Sequence, residues 1–389
     1  FLSSVTQTNF QSPRTGDLAP LSPEFKTIAT FLRDAGYRTA SFPSNSYNLC
    51  RRFGFDQGFD TLWSGTPRDA NLTAALLAHK LIRTPKAADW MTRHLPLDEY
   101  ISAGALNAKI FRWLGRQGRR PFFLFVNYTE PHGFNALPRE IKRTFGISEP
   151  PPLWRRNPET GVPELDEASR AALRRWYEAE LGAVDAEVGR LLDRLRARAL
   201  YDDTLVAVTS DHGELLGEHG DFGHVIWLYE PTIHIPLLVK YPRGDAAGTR
   251  SARLVSHVDL FAEILSRTGR PLPADIQGRP FDAGAQAVIS ENRPTAALAV
   301  PWPERYGFGQ TAIVSLLCEG AKMIRSDSGR EELFDLRSDP DELRDLADAD
   351  LRAAVGRELD AKLDAIERIS RSYADRLKRV RFDSLGYVK

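Results

Sequence analysis

The sequence predicts an α/β fold with a mainly parallel central sheet flanked by helices, then a small C-terminal antiparallel sheet and a closing helix. Two observations carry that expectation. Up to about Gln277, helical patterns alternate with short Val/Leu/Phe-rich runs, and beyond Pro280 four strand-like runs follow one another with no helix between them.

In chain order, Pro23 to Ala35 has helical spacing with Gly36 placed as a C-cap, and Tyr37 to Phe42 follows as a strand. Ala103 to Arg116 reads as a second helix, with a strand from Pro121 to Tyr128 after Gly118. The passage around Glu149-Pro150-Pro151-Pro152 reads as an irregular loop. The longest helical pattern runs from Glu167 to Ala199, where Leu173, Trp176, Leu181, Val184, Val188, Leu191, Leu192 and Leu195 recur between charges. Tyr201-Asp202-Asp203 then turns the chain into Thr204 to Thr209, apolar enough for a central strand. A strand from Ile235 to Lys240 and a helix from Val258 to Thr268 complete a domain over residues 1–283. The remaining residues, 284–389, form a smaller α+β subdomain: strands at Ala287 to Ser290, Ala312 to Leu317, Ala321 to Ser326 and Glu332 to Leu336, then a helix from Asp350 to about Arg376.

With 389 residues and 42% hydrophobic composition the chain can build a large core. Lys+Arg and Asp+Glu are 52 each, so charge speaks against a nucleic-acid or membrane-surface partner. Cys50 and Cys318 make no disulfide framework and no zinc-finger spacing, and two free thiols are expected. No apolar run is long enough to cross a bilayer, and Phe1 is followed by no charged-then-apolar leader. Because the chain does not open with Met, its natural start is expected upstream.

Asp211-His212 directly follows an apolar strand. In open parallel sheets the loops leaving that strand end form the ligand crevice. Carboxylate and imidazole can both ligate a divalent cation, and Gly213 lets the backbone turn closely round it. On the two residues alone the plainer reading, an N-capping aspartate beside a surface histidine, stands ahead. The surroundings change that: His212, His219, His224, His234 and His257 are five of the eight histidines, and the first three share one short stretch with Glu214 and Glu218.

The run Val208-Thr209-Ser210-Asp211-His212-Gly213-Glu214, followed by Leu216-Gly217-Glu218-His219-Gly220, Tyr229-Glu230-Pro231 and Ile235-Pro236-Leu237, resembles the metal-binding block of the sulfatases, in the alkaline-phosphatase superfamily. Ala35-Gly36-Tyr37-Arg38-Thr39-Ala40, Phe53-Gly54-Phe55-Asp56 with Gly58-Phe59-Asp60, Phe122 to Tyr128 leading to Pro131-His132, Ile276-Gln277-Gly278-Arg279, Glu332 to Leu336 with Asp339-Pro340, and Leu385-Gly386-Tyr387-Val388 are similar to family segments in the same order. The resemblance implies an alkaline-phosphatase-like fold and metal-dependent hydrolysis of a small-molecule or glycan sulfate ester. It makes Asp211 and His212 ligands of one divalent ion, Ca2+ first, with Mg2+ or Mn2+ as alternatives. His132 would hydrogen-bond the anionic group or leaving oxygen; on its own it also reads as a packed loop histidine. His224 stands where a typical sulfatase carries a lysine, and as an imidazole can act as general acid. His219 and Glu214 would support the loop from behind.

Two departures matter. Ser44-Asn45-Ser46-Tyr47-Asn48 replaces the Lys and His that arylsulfatases carry after this strand. Asn45 can donate to a substrate oxygen, or simply close an Asx-turn. With fewer fixed cations, a singly charged sulfate ester or phosphodiester suits the site better than a dianionic phosphate monoester. The family's Cys/Ser-x-Pro-x-Arg block, whose first residue matures to formylglycine, does not occur; Ser12-Pro13-Arg14 and Cys50 match it poorly. The nucleophile, the first strand and its Asp pair are therefore expected upstream of Phe1, and the chain alone is expected to bind metal weakly without turnover. A phosphodiesterase or phosphonate monoester hydrolase is the alternative within the superfamily. An inactive anion- or glycan-binding relative is the alternative outside enzymes.

Overall fold

Thr27 opens the first helix, accepting the Thr30 N–H on Oγ1 at 3.1 Å, while Ile28, Ala29 and Leu32 turn a buried face inward. That helix, α1 (Ile28–Asp34), leads into β1 (Arg38–Pro43). In this computed structural model the described residues are 21, 23, 26–45, 49, 51–63, 101–118, 120–132, 137–148, 166–224, 227–274, 276–284, 287–292 and 312–384. Ser12, Cys50, the 149–152 passage and residues 385–388 lie outside them; Cys318 is a free thiol. Contacts divide the described chain into two compact units, residues 21–148 with 174–201 and residues 166–173 with 202–384.

In the first unit β1 lies between β2 (Thr61–Leu62) and β3 (Phe122–Asn127), all parallel. The register with β3 runs from Arg38↔Phe122 to Pro43↔Asn127, so both strands finish level. Gly58 must be glycine: a Cβ there would sit 2.2 Å from Thr30 N, and its φ is +85°. Its carbonyl accepts the Thr39 hydroxyl while Asp60 Oδ2 accepts the Thr39 N–H, which docks the segment before β2 against β1. Helix α2 (Ala103–Gly115) lays Leu106, Ile110, Trp113 and Leu114 over Ala40 and Phe42 of β1, and Leu195 from α4 (Glu167–Arg196) closes that core. Asn107, buried on α2, is bonded on both sides, donating to Glu187 and accepting from Tyr128. A short helix α3 (Arg139–Phe145), beyond those expected from the sequence, packs on Trp176 through Ile141 and Phe145.

In the second unit β4 (Val206–Thr209) pairs antiparallel with β7 (Leu237–Lys240), from Val206↔Lys240 to Thr209↔Leu237. The apolar run promised a central strand, yet among the described residues β4 pairs with β7 alone, and Val208 is 36% exposed. An apolar strand records what its faces prefer, not which neighbours will cover them. Between these strands lie the hairpin β5 (Leu215–Leu216)–β6 (Phe222–Gly223) and the helical turn α5 (Glu230–Ile233). Helix α6 (His257–Arg267) starts in a capping box between Ser256 and Asp259.

The expected C-terminal sheet is present: β8 (Ala287–Asn292), β9 (Ile313–Cys318), β10 (Ala321–Ser326) and β11 (Glu331–Asp335) pair antiparallel in the order β11-β10-β9-β8. One face meets Val355 and Leu359 of α7 (Ala349–Ser384). The other, through Ile313, Ile324 and Phe334, packs on Leu215, Trp227, Leu228 and Tyr229 beside the signature loop.

Candidate active site

The loop after β4 is stitched at its start. Thr209 Oγ1 donates to Pro236 O at 2.9 Å, and His257 Nε2 lies 2.8 Å from Ser210 O, to which it donates. Burial holds the His257 imidazole below its ordinary pKa, against the Ser210 bond and the Asp211 charge. Asp211 Oδ1 accepts the His212 N–H at 3.1 Å and stands 3.8 Å from His212 Nε2; the Asp211 side chain is 79% exposed. His212 Nδ1 is 2.9 Å from Gly213 O. A carbonyl can only accept, so Nδ1 carries the hydrogen and the neutral ring keeps its lone pair on Nε2.

Gly213 then presses the loop onto α5. Its N–H donates to Thr232 O at 2.8 Å, and the Glu214 N–H to Pro231 O at 3.0 Å. A Cβ at Gly213 would lie 2.1 Å from Pro231 O, so no side chain fits. The hairpin turns on Gly217 at φ +113° and pairs Leu215 with Gly223, which sets the next residues out, Glu214 and His224, side by side. His224 Nδ1 lies 3.0 Å from Glu214 Oε2, and its ring stacks on His212 with centroids 3.9 Å apart. Inside the hairpin, buried Asp221 accepts the Phe222 N–H and the Trp227 indole N–H, at 2.8 Å each. His219, at φ +54°, stacks on Tyr229 at 3.7 Å, and burial lowers its pKa.

The structure thus gathers Asp211, His212 and His224 on one loop and hairpin. Ligand atoms of His212, Glu214 and His224 all lie within 4.8 Å of one another. Asp211 and His212 suit a divalent ion in donor type, and their 3.8 Å separation is close to the roughly 3.3–3.7 Å expected between adjacent ligands at Ca2+ distances. The pairing of Glu214 with His224 was not read from the sequence; the two short strands that create it carry no periodicity.

Asn45 and His132 belong to the first unit, where both follow the level ends of the parallel strands β1 and β3. Asn45 N–H donates to Asn127 Oδ1 at 3.2 Å, and His132 N–H to Thr129 O at 2.7 Å. Glu130 Oε1 accepts the Ala103 N–H at the start of α2, which ties this turn to the helix.

Comparison with known proteins agrees with the fold. The crystal structure of a phosphonate monoester hydrolase from Agrobacterium radiobacter superposes with a TM-score of 0.66 at 23% identity, covering 94% of this chain and 84% of that one. The fold is therefore the alkaline-phosphatase-like α/β fold. The sulfatase family model matches residues 1–270, and the C-terminal model of N-sulphoglucosamine sulphohydrolase matches residues 217–369. The chain belongs to the sulfatase family. Arylsulfatase K of Bos taurus is 34% identical over 181 residues, 45% of this chain and 33% of that protein. The choline-sulfatase of Rhizobium meliloti is 27% identical over 287 residues, 66% of this chain and 53% of that protein. The chain spans between a third and about half the length of these curated relatives.

Proposed function

We propose that this chain supplies the metal loop and proton donor of a metal-dependent sulfate ester hydrolase acting on a small-molecule or glycan sulfate. The observation that carries the reading is the joining of Asp211, His212 and the Glu214–His224 pair on one loop and hairpin, in a chain of the sulfatase family. Asp211 through its carboxylate and His212 through Nε2 would hold one divalent ion, Ca2+ first, with Mg2+ or Mn2+ as alternatives. Such an ion polarises ester oxygens and favours a deprotonated nucleophile. The nucleophile would be a formylglycine in the family's block, which these 389 residues do not include.

His224 replaces the usual lysine as proton donor to the leaving oxygen, and Glu214 fixes its tautomer and direction by accepting from Nδ1. Nε2 is then the atom that hands over the proton when the ring is charged. His132 and Asn45 are assigned as hydrogen-bond donors to an anionic oxygen, from the carboxyl edge of the parallel sheet. A sulfate monoester carries one negative charge, which asks less of fixed cations than a phosphate monoester dianion does.

The test is to compare hydrolysis of an aryl sulfate, a phosphodiester and a phosphate monoester by the protein with its nucleophile block in place. Sulfate ester turnover that needs a divalent ion is expected. A preference for the phosphodiester would move the protein to the alternative in the same superfamily. Fast phosphate monoester turnover would sink the charge reasoning, and absence of all turnover would leave an anion-binding relative.

A further inference from the structure

Lys322, in the middle of the C-terminal sheet, has a completely buried side chain. An ammonium there needs partners, since unpaired burial of a charge is costly. Nζ lies 2.9 Å from Glu230 Oε1 and 2.6 Å from Glu342 Oε1, the second a charge contact without hydrogen-bond direction. The other Glu342 oxygen accepts the Glu230 N–H at 2.6 Å, and Glu230 Oε2 lies 3.1 Å from His234 Nδ1. One lysine of β10 therefore gathers a carboxylate from the first residue of α5 and another from the segment after β11.

Stability is a poor explanation for this arrangement, because buried ion pairs can often be replaced by well-packed apolar groups at no loss. Geometry offers a better one. Glu230 opens α5, and the carbonyls of its next two residues, Pro231 and Thr232, receive the Glu214 and Gly213 N–H groups. A neighbouring tie runs the same way: the Tyr229 hydroxyl donates to Glu332 Oε2 at 2.8 Å, and Arg330 holds the other Glu332 oxygen at 2.7 Å.

We propose that Lys322 is a positioning residue for the metal loop: through Glu230 and Glu342 it fixes α5, and through the Pro231 and Thr232 carbonyls it fixes the Gly213–Glu214 backbone. The C-terminal sheet then acts as the clamp that sets where Asp211, His212 and Glu214 stand. From the proposed function this takes only that Asp211 and His212 hold the ion; the clamp itself is a backbone relationship.

The test follows amide hydrogen exchange and ion binding in the same chain. In Lys322→Met, exchange at Gly213 and Glu214 is expected to rise about tenfold or more while amides of the β8–β9 ladder keep their protection. The dissociation constant for Ca2+ and for Mn2+, each titrated alone, is expected to rise about ten- to a hundredfold. Lys322→Met leaves two carboxylates facing each other and could fail to fold. The neutral combination of Lys322→Met, Glu230→Gln and Glu342→Gln then serves instead, with the same expectation. Unchanged exchange at Gly213 and Glu214 would overturn the proposal, as would loosening of loop and ladder together, the signature of a merely structural lysine. If the protein with its Asp pair and nucleophile block in place binds neither ion, the proposed function fails, while the exchange data still decide the clamp.

Discussion

Glu214 Oε2 and His224 Nδ1 stand 3.0 Å apart, ten positions from each other in sequence, because a hairpin with two-residue strands folds one onto the other. Glu214 accepts a hydrogen from the ring that lies on His212, so its charge acts on His224 and its backbone acts on the loop.

In the protein with its nucleophile block in place, Glu214→Gln is expected to lower kcat about tenfold for sulfate esters with poor leaving groups, with little effect where the leaving group needs no proton. Measuring kcat across a series of substituted aryl and alkyl sulfates checks this. An equal fall for every ester would remove Glu214 from the proton step.

Gly213→Ala forces a methyl group toward Pro231 O. A cost of about 1–3 kcal/mol in unfolding free energy is expected from such overpacking, with clear weakening of divalent-ion binding. Denaturant titration and ion titration of the same preparation provide both numbers. Full ion affinity in the folded variant would mean the loop can be lifted from α5 without consequence.

His219 makes the second unit acid-sensitive. Burial outweighs the nearby Glu332, Glu218 and Asp339 charges and holds its pKa below the ordinary 6.5. Between the folded and unfolded pKa values the unfolded chain binds more protons, so stability rises with pH there. The loss sets in as pH falls through about 6.5 and is complete once pH drops below the folded value. Tm recorded from pH 8 to pH 5 should fall less steeply in His219→Asn, asparagine tolerating the positive φ. His257, lowered by burial as well, keeps part of the slope in that variant. An unaltered slope would show that His219 titrates as an exposed group.

Thr27→Ala removes both the cap on Thr30 N and the bond from Oγ1 to Gln57 O at 2.8 Å. A loss of about 1 kcal/mol is expected, recovered largely by Thr27→Ser. Equilibrium unfolding of the three chains decides it, and equal stability of all three would discard the cap.

Where the fold was legible, it was through periodicity over several residues. β10 (Ala321–Ser326) lies where the sequence placed it, and α2, β3, β9 and β11 moved by a residue or so at their ends. The hairpin β5–β6 and the turn α5 escaped because elements of two to four residues have no period to read. In the site, the histidine cluster drew attention to the loop and the family resemblance assigned Asp211, His212 and His224, but neither says who holds them. Lys322 in a strand reads as a solvent-facing lysine, and nothing local announces that Glu342 will reach Glu230 N, 112 positions away. His257, which anchors Ser210, gave no signal beyond being a histidine.

The core of the parallel sheet also sets an order of events during synthesis. Ala40, Phe42, Leu106 and Ile110 leave the ribosome well before Leu195, yet Leu195 belongs to the same apolar cluster. Until that residue emerges, β1, β3 and α2 can associate but keep an apolar face uncovered, and exposed faces of this kind are where nascent chains aggregate. Slowing translation just ahead of Leu195 should therefore lengthen the chain's dependence on chaperones.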